Sequence, residues 1–217
     1  MIITLVYLAM RPFPLPNPYP NLLANVSTTA ADVAQRVAGY PLSFLPIKDQ
    51  QVEWEGAWPS FVYTFYSHLD PIPTQAEFWA HYLADNAPFF QQRPLTTATQ
   101  TALQARIYRT YPSLVRDWHL PCFCLSGSPT MCCITRNWMW RRIDLLVSHH
   151  GRLFALNLYT NTKRAYDGRL QKQHRHTPFS NVTYVELPVA LKGSVMAGQF
   201  YLYGEREWRQ VWAALNG

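Results

Sequence analysis

Residues 141–160 read RRIDLLVSHHGRLFALNLYT, two apolar runs separated by a His-His-Gly-Arg turn. Each run is too short for a helix of its own, and the pair predicts two buried strands joined as a hairpin. The turn implies that His149 and His150 face solvent. Ahead of the hairpin, residues 97–120 (TATQTALQARIYRTYPSLVRDWHL) carry a helical pattern that Pro112 is expected to interrupt. Behind it come a basic helix from about Lys163, strands in VTYVELPVAL (182–191) and GQFYLYG (198–204), and a last helix in EREWRQVWAALNG (205–217). Helix, strand, strand, helix, strand is an α/β order, and it assigns residues 96–217 to one unit built on a mixed sheet flanked by helices.

Residues 1–95 read differently, as an aromatic and proline-rich α+β region. MIITLVYLAM opens the chain and lacks both a basic leader and a cleavage motif, so it predicts a buried strand rather than a signal peptide. Five prolines alternate from Pro12 to Pro20 and predict extended chain. STTAADVAQRVAG (27–39) predicts a helix with a Ser/Thr cap and Gly39 as its stop. QQVEWEGAWPSFVYTFYS (50–67) predicts strand, turn and strand. PTQAEFWAHYLADNAP (73–88) carries a capping box, Thr74 with Glu77, ahead of apolar residues at helical spacing.

Composition bounds the function. Hydrophobic residues make up 48% of the 217 and charged residues 15%, which suits a folded chain and not a disordered one. No run reaches the roughly 18 apolar residues of a membrane span. All four cysteines fall within residues 122–133, a poor disulfide framework, so a reducing, cytoplasmic setting is expected. The net charge of +6 favours anionic partners.

That charge is concentrated. Residues 136–176 hold nine Lys and Arg against Asp144 and Asp167. A helix beginning after Thr162 would align Arg169, Lys172 and His176 on one face, with Lys163 and Arg164 in its first turn. Cations there oppose the helix dipole, and a phosphate held by Thr160, Thr162, the turn N–H groups and both cations would compensate. Arg175 extends the same surface toward nucleic acid. The plainer alternative is a solvated basic face.

Asp144 stands at the mouth of an apolar strand, where an unpaired carboxylate is costly. A salt bridge to Arg141 or Arg142 would satisfy it, and so would a metal ion. His119, Cys122, Cys124, Cys132 and Cys133 offer five soft ligands, but C-x-C and C-C pairs strain tetrahedral geometry, so apolar packing of thiols is expected ahead of zinc. Trp138 and Trp140 alternate beside arginines, as either a base-stacking platform or one buried strand face.

The order helix, RIDLLV, turn, LFALNLYT, helix, strand, over residues 105–190, resembles the core of the PD-(D/E)XK nuclease-like superfamily. The resemblance implies a restriction-endonuclease-like fold, a metal-binding Asp on one strand and an acid-x-Lys on the next, with Mg²⁺ or Mn²⁺ activating water. Asp144 matches the first carboxylate; Asn157 and Tyr159 stand at the acid and lysine positions and match neither. On this pattern Lys163 would move into the lysine's role and Asp117 would contribute a carboxylate from the preceding helix. The implied function is nucleic-acid binding, DNA or RNA, by a divergent metal-dependent nuclease or a catalytically degenerate relic within a larger complex. A non-catalytic protein-interaction subunit is the alternative, resting on rigid anchors such as RPFPLPNPYP and WEGAWPSF. An enzyme acting on a small phosphorylated molecule would use the same turn.

Overall fold

The computed structural model describes residues 28–46, 58–127, 132–135, 144–163, 167 and 181–216. The apolar N-terminus, the proline-rich segment, Trp138, Trp140, Arg141 and Arg142 fall outside these residues. So do Arg164, Arg169, Lys172, Arg175 and His176.

Helix α1 (Ala30–Val37) is fixed at its start by a capping box. The Thr29 hydroxyl accepts from the Asp32 N–H while the Asp32 carboxylate accepts from the Thr29 N–H. Helix α3 (Gln75–Asp85) repeats the device with Thr74 and Glu77, as its sequence predicts. In each box the two threonine hydrogen bonds hold the carboxyl below its ordinary pKa, the backbone bond more than the hydroxyl bond.

Between them the strand expected over residues 61–67 is a helix, α2 (Phe61–Ser67), followed after α3 by α4 (Ala87–Gln92). The Ser60 side chain caps α2 by accepting from the Tyr63 N–H, and the turn buries Thr64, Phe65 and Tyr66 together. Core burial of these three consecutive residues overrides the β preference of Val, Tyr and Phe.

The break expected at Pro112 does not occur either. Helix α5 (Thr97–Gly127) runs on with Pro112 and Pro121 inside it. Proline lacks the N–H that would bond the carbonyl four residues back, here that of Tyr108. The Tyr108 carbonyl instead accepts from Gln75 Nε2 at 3.0 Å, and Gln75 is itself buried and tied to both the N–H and the C=O of Ser43. A side chain from α3 thus satisfies the group that proline orphans.

Four strands form a mixed sheet in the order β1 (Cys132–Thr135), β2 (Leu145–His149), β3 (Arg152–Thr160) and β4 (Val182–Val189). The first three are antiparallel neighbours, whereas β3 and β4 run parallel. The chain is therefore a mixed α/β protein. The predicted hairpin is present, closed by His150 (φ 48°) and Gly151 (φ 75°), the two positive φ angles of a type I′ turn. A second, two-stranded sheet pairs β5 (Val195–Ala197) with β6 (Phe200–Leu202), and helix α6 (Glu205–Asn216) follows. Gly198 at the β5–β6 turn has φ 58°, and a Cβ there would lie 2.2 Å from the Ala38 carbonyl oxygen, so this turn packs directly on the end of α1.

Among the described residues two large hydrophobic clusters result, with a small third around Leu146 and Ala155. One joins Phe65, Phe78 and Tyr82 to Leu103, Ile107 and Tyr111 of α5 and to Phe200 and Leu202 of β6. The other packs Leu145, Val147, Phe154, Leu156 and Leu158 against Leu120 and Cys124 of α5 and Val211 and Leu215 of α6. Helix α5 contributes to both. Among the described residues no helix is long and apolar enough to cross a membrane.

Candidate functional site

The sheet separates its side chains by period two. Phe154, Leu156 and Leu158 of β3 face α5 and α6 in the larger sheet cluster, whereas Ala155 lies on the opposite face with Leu146 and Tyr184. Asn157 shares that second face. It is 5% exposed, and its Nδ2 donates to Glu186 Oε1 at 3.1 Å, the two residues being direct partners in the parallel ladder. A carboxylate only accepts, so the amide nitrogen must point at Glu186, which leaves Oδ1 as the other end of the group. That oxygen is buried with no hydrogen-bond partner.

Asp144 sits immediately before β2 and closes onto the same part of β3. Its N–H donates to the Leu156 carbonyl at 3.1 Å, and its Oδ2 accepts from the Leu158 N–H at 2.7 Å. These bonds bracket Asn157 on both sides. A main-chain N–H therefore engages this carboxylate, whatever Arg141 and Arg142 do. Asp117, from α5, and Asp144 both act on Tyr203. The buried phenol is pushed above its ordinary pKa by burial first, then by Asp117, with Asp144 adding to the rise and Arg116 opposing it. The Arg116 guanidinium lies 5.8 Å from the centre of the Tyr203 ring. The two carboxylates named from the sequence thus share a neighbour, while Asn157 pairs with Glu186.

The turn leaving β3 carries the phosphate-binding candidates. Thr160 is half-buried; Thr162 and Lys163 are exposed, and Lys163 is already helical. The Asn161 N–H donates to the Val189 carbonyl at 2.8 Å and the Thr162 N–H to the Thr160 carbonyl at 2.7 Å. These two N–H groups are consumed within the protein, contrary to the expectation that the turn's amides converge on a phosphate. The Thr160 and Thr162 hydroxyls and the Lys163 ammonium are the turn's other candidates.

The residues present suit a hard cation better than a soft one. Asp144 and Asp117 offer carboxylate oxygens near Tyr203, and Glu186 and Asn157 offer oxygens on the other face of the sheet, all of the donor type of Mg²⁺ and Mn²⁺. Among the described residues no three His, Cys, Asp or Glu side chains converge as a ready-made cage, so such an ion would complete its shell with water and phosphate oxygens. It would supply charge neutralisation and a polarised water. Cys122 and Cys124 are both buried but enter different clusters, as residues two apart on a helix must.

His149 overturns its expected exposure. It is buried, with Nε2 3.2 Å from Asn216 Oδ1 and its ring 5.1 Å from that of Trp212. His150, at the turn itself, is the exposed member of the pair. Sequence reasoning missed Glu186 and Tyr203. The signal for Glu186 was visible: like Asp144, it is a lone acid in an apolar strand.

No protein-family model, curated protein or solved structure matches this chain.

Proposed function

We propose that this chain binds nucleic acid on a nuclease-like core, with the strand end at Asp144 and the Thr160–Lys163 turn as the contact. One observation carries the reading: the Asp144 carboxylate bonds the Leu158 N–H at 2.7 Å, two residues before Thr160. A carboxylate, two hydroxyls and a cation thereby meet at one end of one strand, the combination needed to hold a phosphodiester beside a metal-binding acid. The strand order and the parallel β3–β4 pair support the restriction-endonuclease-like resemblance. Asp144 is the residue to hold Mg²⁺ or Mn²⁺, Lys163 the one to stabilise phosphate charge, and Asp117 an auxiliary carboxylate. Arg164, Arg169, Lys172, Arg175 and His176 would extend the contact along the backbone. Asn157 and Tyr159 at the acid-x-Lys positions favour a binding relic over a working nuclease.

The test is binding and cleavage of labelled single- and double-stranded DNA and RNA, with and without Mg²⁺ or Mn²⁺. Wild type would be compared with Asp144→Ala and with Lys163→Ala/Arg169→Ala/Lys172→Ala. Salt-sensitive binding lost only in the triple variant supports a non-catalytic binder. Metal-dependent cleavage lost in Asp144→Ala supports a nuclease, and no binding by wild type defeats the proposal.

A protein-interaction subunit has one observation in its favour. Met196 and Tyr201, partners across the β5–β6 ladder, are both exposed, as is Val195.

A further inference from the structure

Helix α1 and the loop over residues 68–74, which joins α2 to α3, border a cleft of about 480 Å³, within the size range of small-molecule sites. The helix contributes Asp32 and Arg36 to its lining, and the loop contributes Asp70 with Leu69, Pro71 and Ile72. Asp32 and Arg36 are four residues apart, the spacing at which opposite charges ordinarily pair along a helix. Here no ion pair joins them among the described residues. Arg36 is held elsewhere: its Nε donates to the Tyr40 hydroxyl at 3.0 Å, and that hydroxyl donates to the Ile72 carbonyl at 2.8 Å. Its two terminal nitrogens make no hydrogen bond within the described residues. Asp32 accepts both Thr29 bonds on Oδ2 alone, which leaves Oδ1, and the Asp70 carboxylate is exposed without a hydrogen-bond partner among the described residues. Glu77 feels the Arg36 charge, but its Oε2 is taken by Thr74.

We propose that this cleft binds a basic α-amino acid of the lysine or arginine type, with the ligand's carboxylate on Arg36 and its two cationic groups on Asp32 and Asp70. The assignment is independent of the nucleic-acid reading above. Two carboxylates and one guanidinium line the cleft, and a basic amino acid carries the complementary set, two cations and one carboxylate. A guanidinium fixed through Nε presents its terminal nitrogens as a fork, and a carboxylate fits that fork with two parallel hydrogen bonds. A diamine without a carboxylate would set cations against Arg36. Leu69 and Pro71 give an apolar surface to the aliphatic stem. The Thr29 N–H, and after it the Thr29 hydroxyl, hold the Asp32 carboxyl below its ordinary pKa and so keep it charged. Tyr40 is a positioning residue, because its hold on Nε keeps Arg36 from closing onto Asp32.

The experiment titrates L-lysine into the full chain and reads binding by ligand-observed saturation-transfer NMR. L-leucine, which lacks the second cation, and cadaverine, which is lysine without its carboxylate, are titrated in parallel. Wild type binds L-lysine saturably and binds both analogues about tenfold or more weakly. Arg36→Ala abolishes the preference for lysine over cadaverine, and Asp70→Asn weakens lysine by about tenfold. Tyr40→Phe leaves every charge of the lining in place and still lowers the affinity for lysine, because Arg36 is then released to pair with Asp32. No saturable lysine binding by wild type overturns the proposal. So does leucine or cadaverine binding as tightly as lysine, or an Arg36→Ala variant that keeps the preference for lysine. Unchanged lysine affinity in Tyr40→Phe overturns the positioning role of Tyr40. Should Tyr40→Phe lose its far-UV circular dichroism, Arg36→Ala and Asp70→Asn, both at exposed positions, decide.

Discussion

The β2–β3 hairpin has two ends that differ in kind. At the turn, His149 is buried against Trp212, Trp212 lies 5.9 Å from Trp208, Trp208 lies 6.3 Å from Phe123, and the Arg152 guanidinium stands 5.0 Å from the centre of the Phe154 ring. At the open end stand a carboxylate, a buried amide with an orphaned oxygen, a second carboxylate and an exposed lysine. One end stabilises the sheet by packing rings; the other sets one buried amide, whose unmet oxygen opposes folding, beside exposed charges. A fold keeps such an end where the polar groups have a task.

If that division is right, substitutions at the two ends should separate stability from binding. Phe154→Ala empties a fully packed site and should cost about 3–5 kcal/mol in denaturant unfolding, with nucleic-acid affinity per folded molecule unchanged. A pH scan comes next. His119 is buried and its pKa is lowered to about 4, chiefly by burial and against a hydrogen bond with the Ala30 backbone. The neutral ring is favoured in the folded chain, so stability is complete above pH 6.5 and falls as the pH drops from there toward about 4. The loss should reach about 3 kcal/mol in urea midpoints, and His119→Gln should flatten the slope. Gly151→Ala, at φ 75°, should cost about 1 kcal/mol and leave binding intact. The smallest stability effect belongs to the open end. Asn157→Leu removes the orphaned oxygen and should leave stability in denaturant unchanged or raise it by up to about 1 kcal/mol. Equal losses of stability and binding in Asn157→Leu would erase the distinction between the ends.

Much of the architecture was legible because its signals are local. The Thr74–Glu77 box, the His150-Gly151 turn and the apolar run in residues 152–160 each act within a few residues. The misreadings all depended on a distant partner. Nothing near Pro112 announces that Gln75 will take the Tyr108 carbonyl. Nothing near Phe61 announces a core that rewards a helix there, and nothing beside His149 announces Asn216 or Trp212. The candidate site was half legible for the same reason. Asp144 stood out as an acid entering an apolar run, whereas the pairing of Asn157 with Glu186 follows only from strand register.

The repair of Pro112 by Gln75 has a mechanical consequence. It lets α5 remain one element of 31 residues, about 46 Å at 1.5 Å per residue. Its first half is a wall of the helical cluster and its second a wall of the sheet cluster. A proline without such a partner is where a long helix hinges. At Pro112 that hinge is braced, so the stretch of α5 on either side of it is held as one rod.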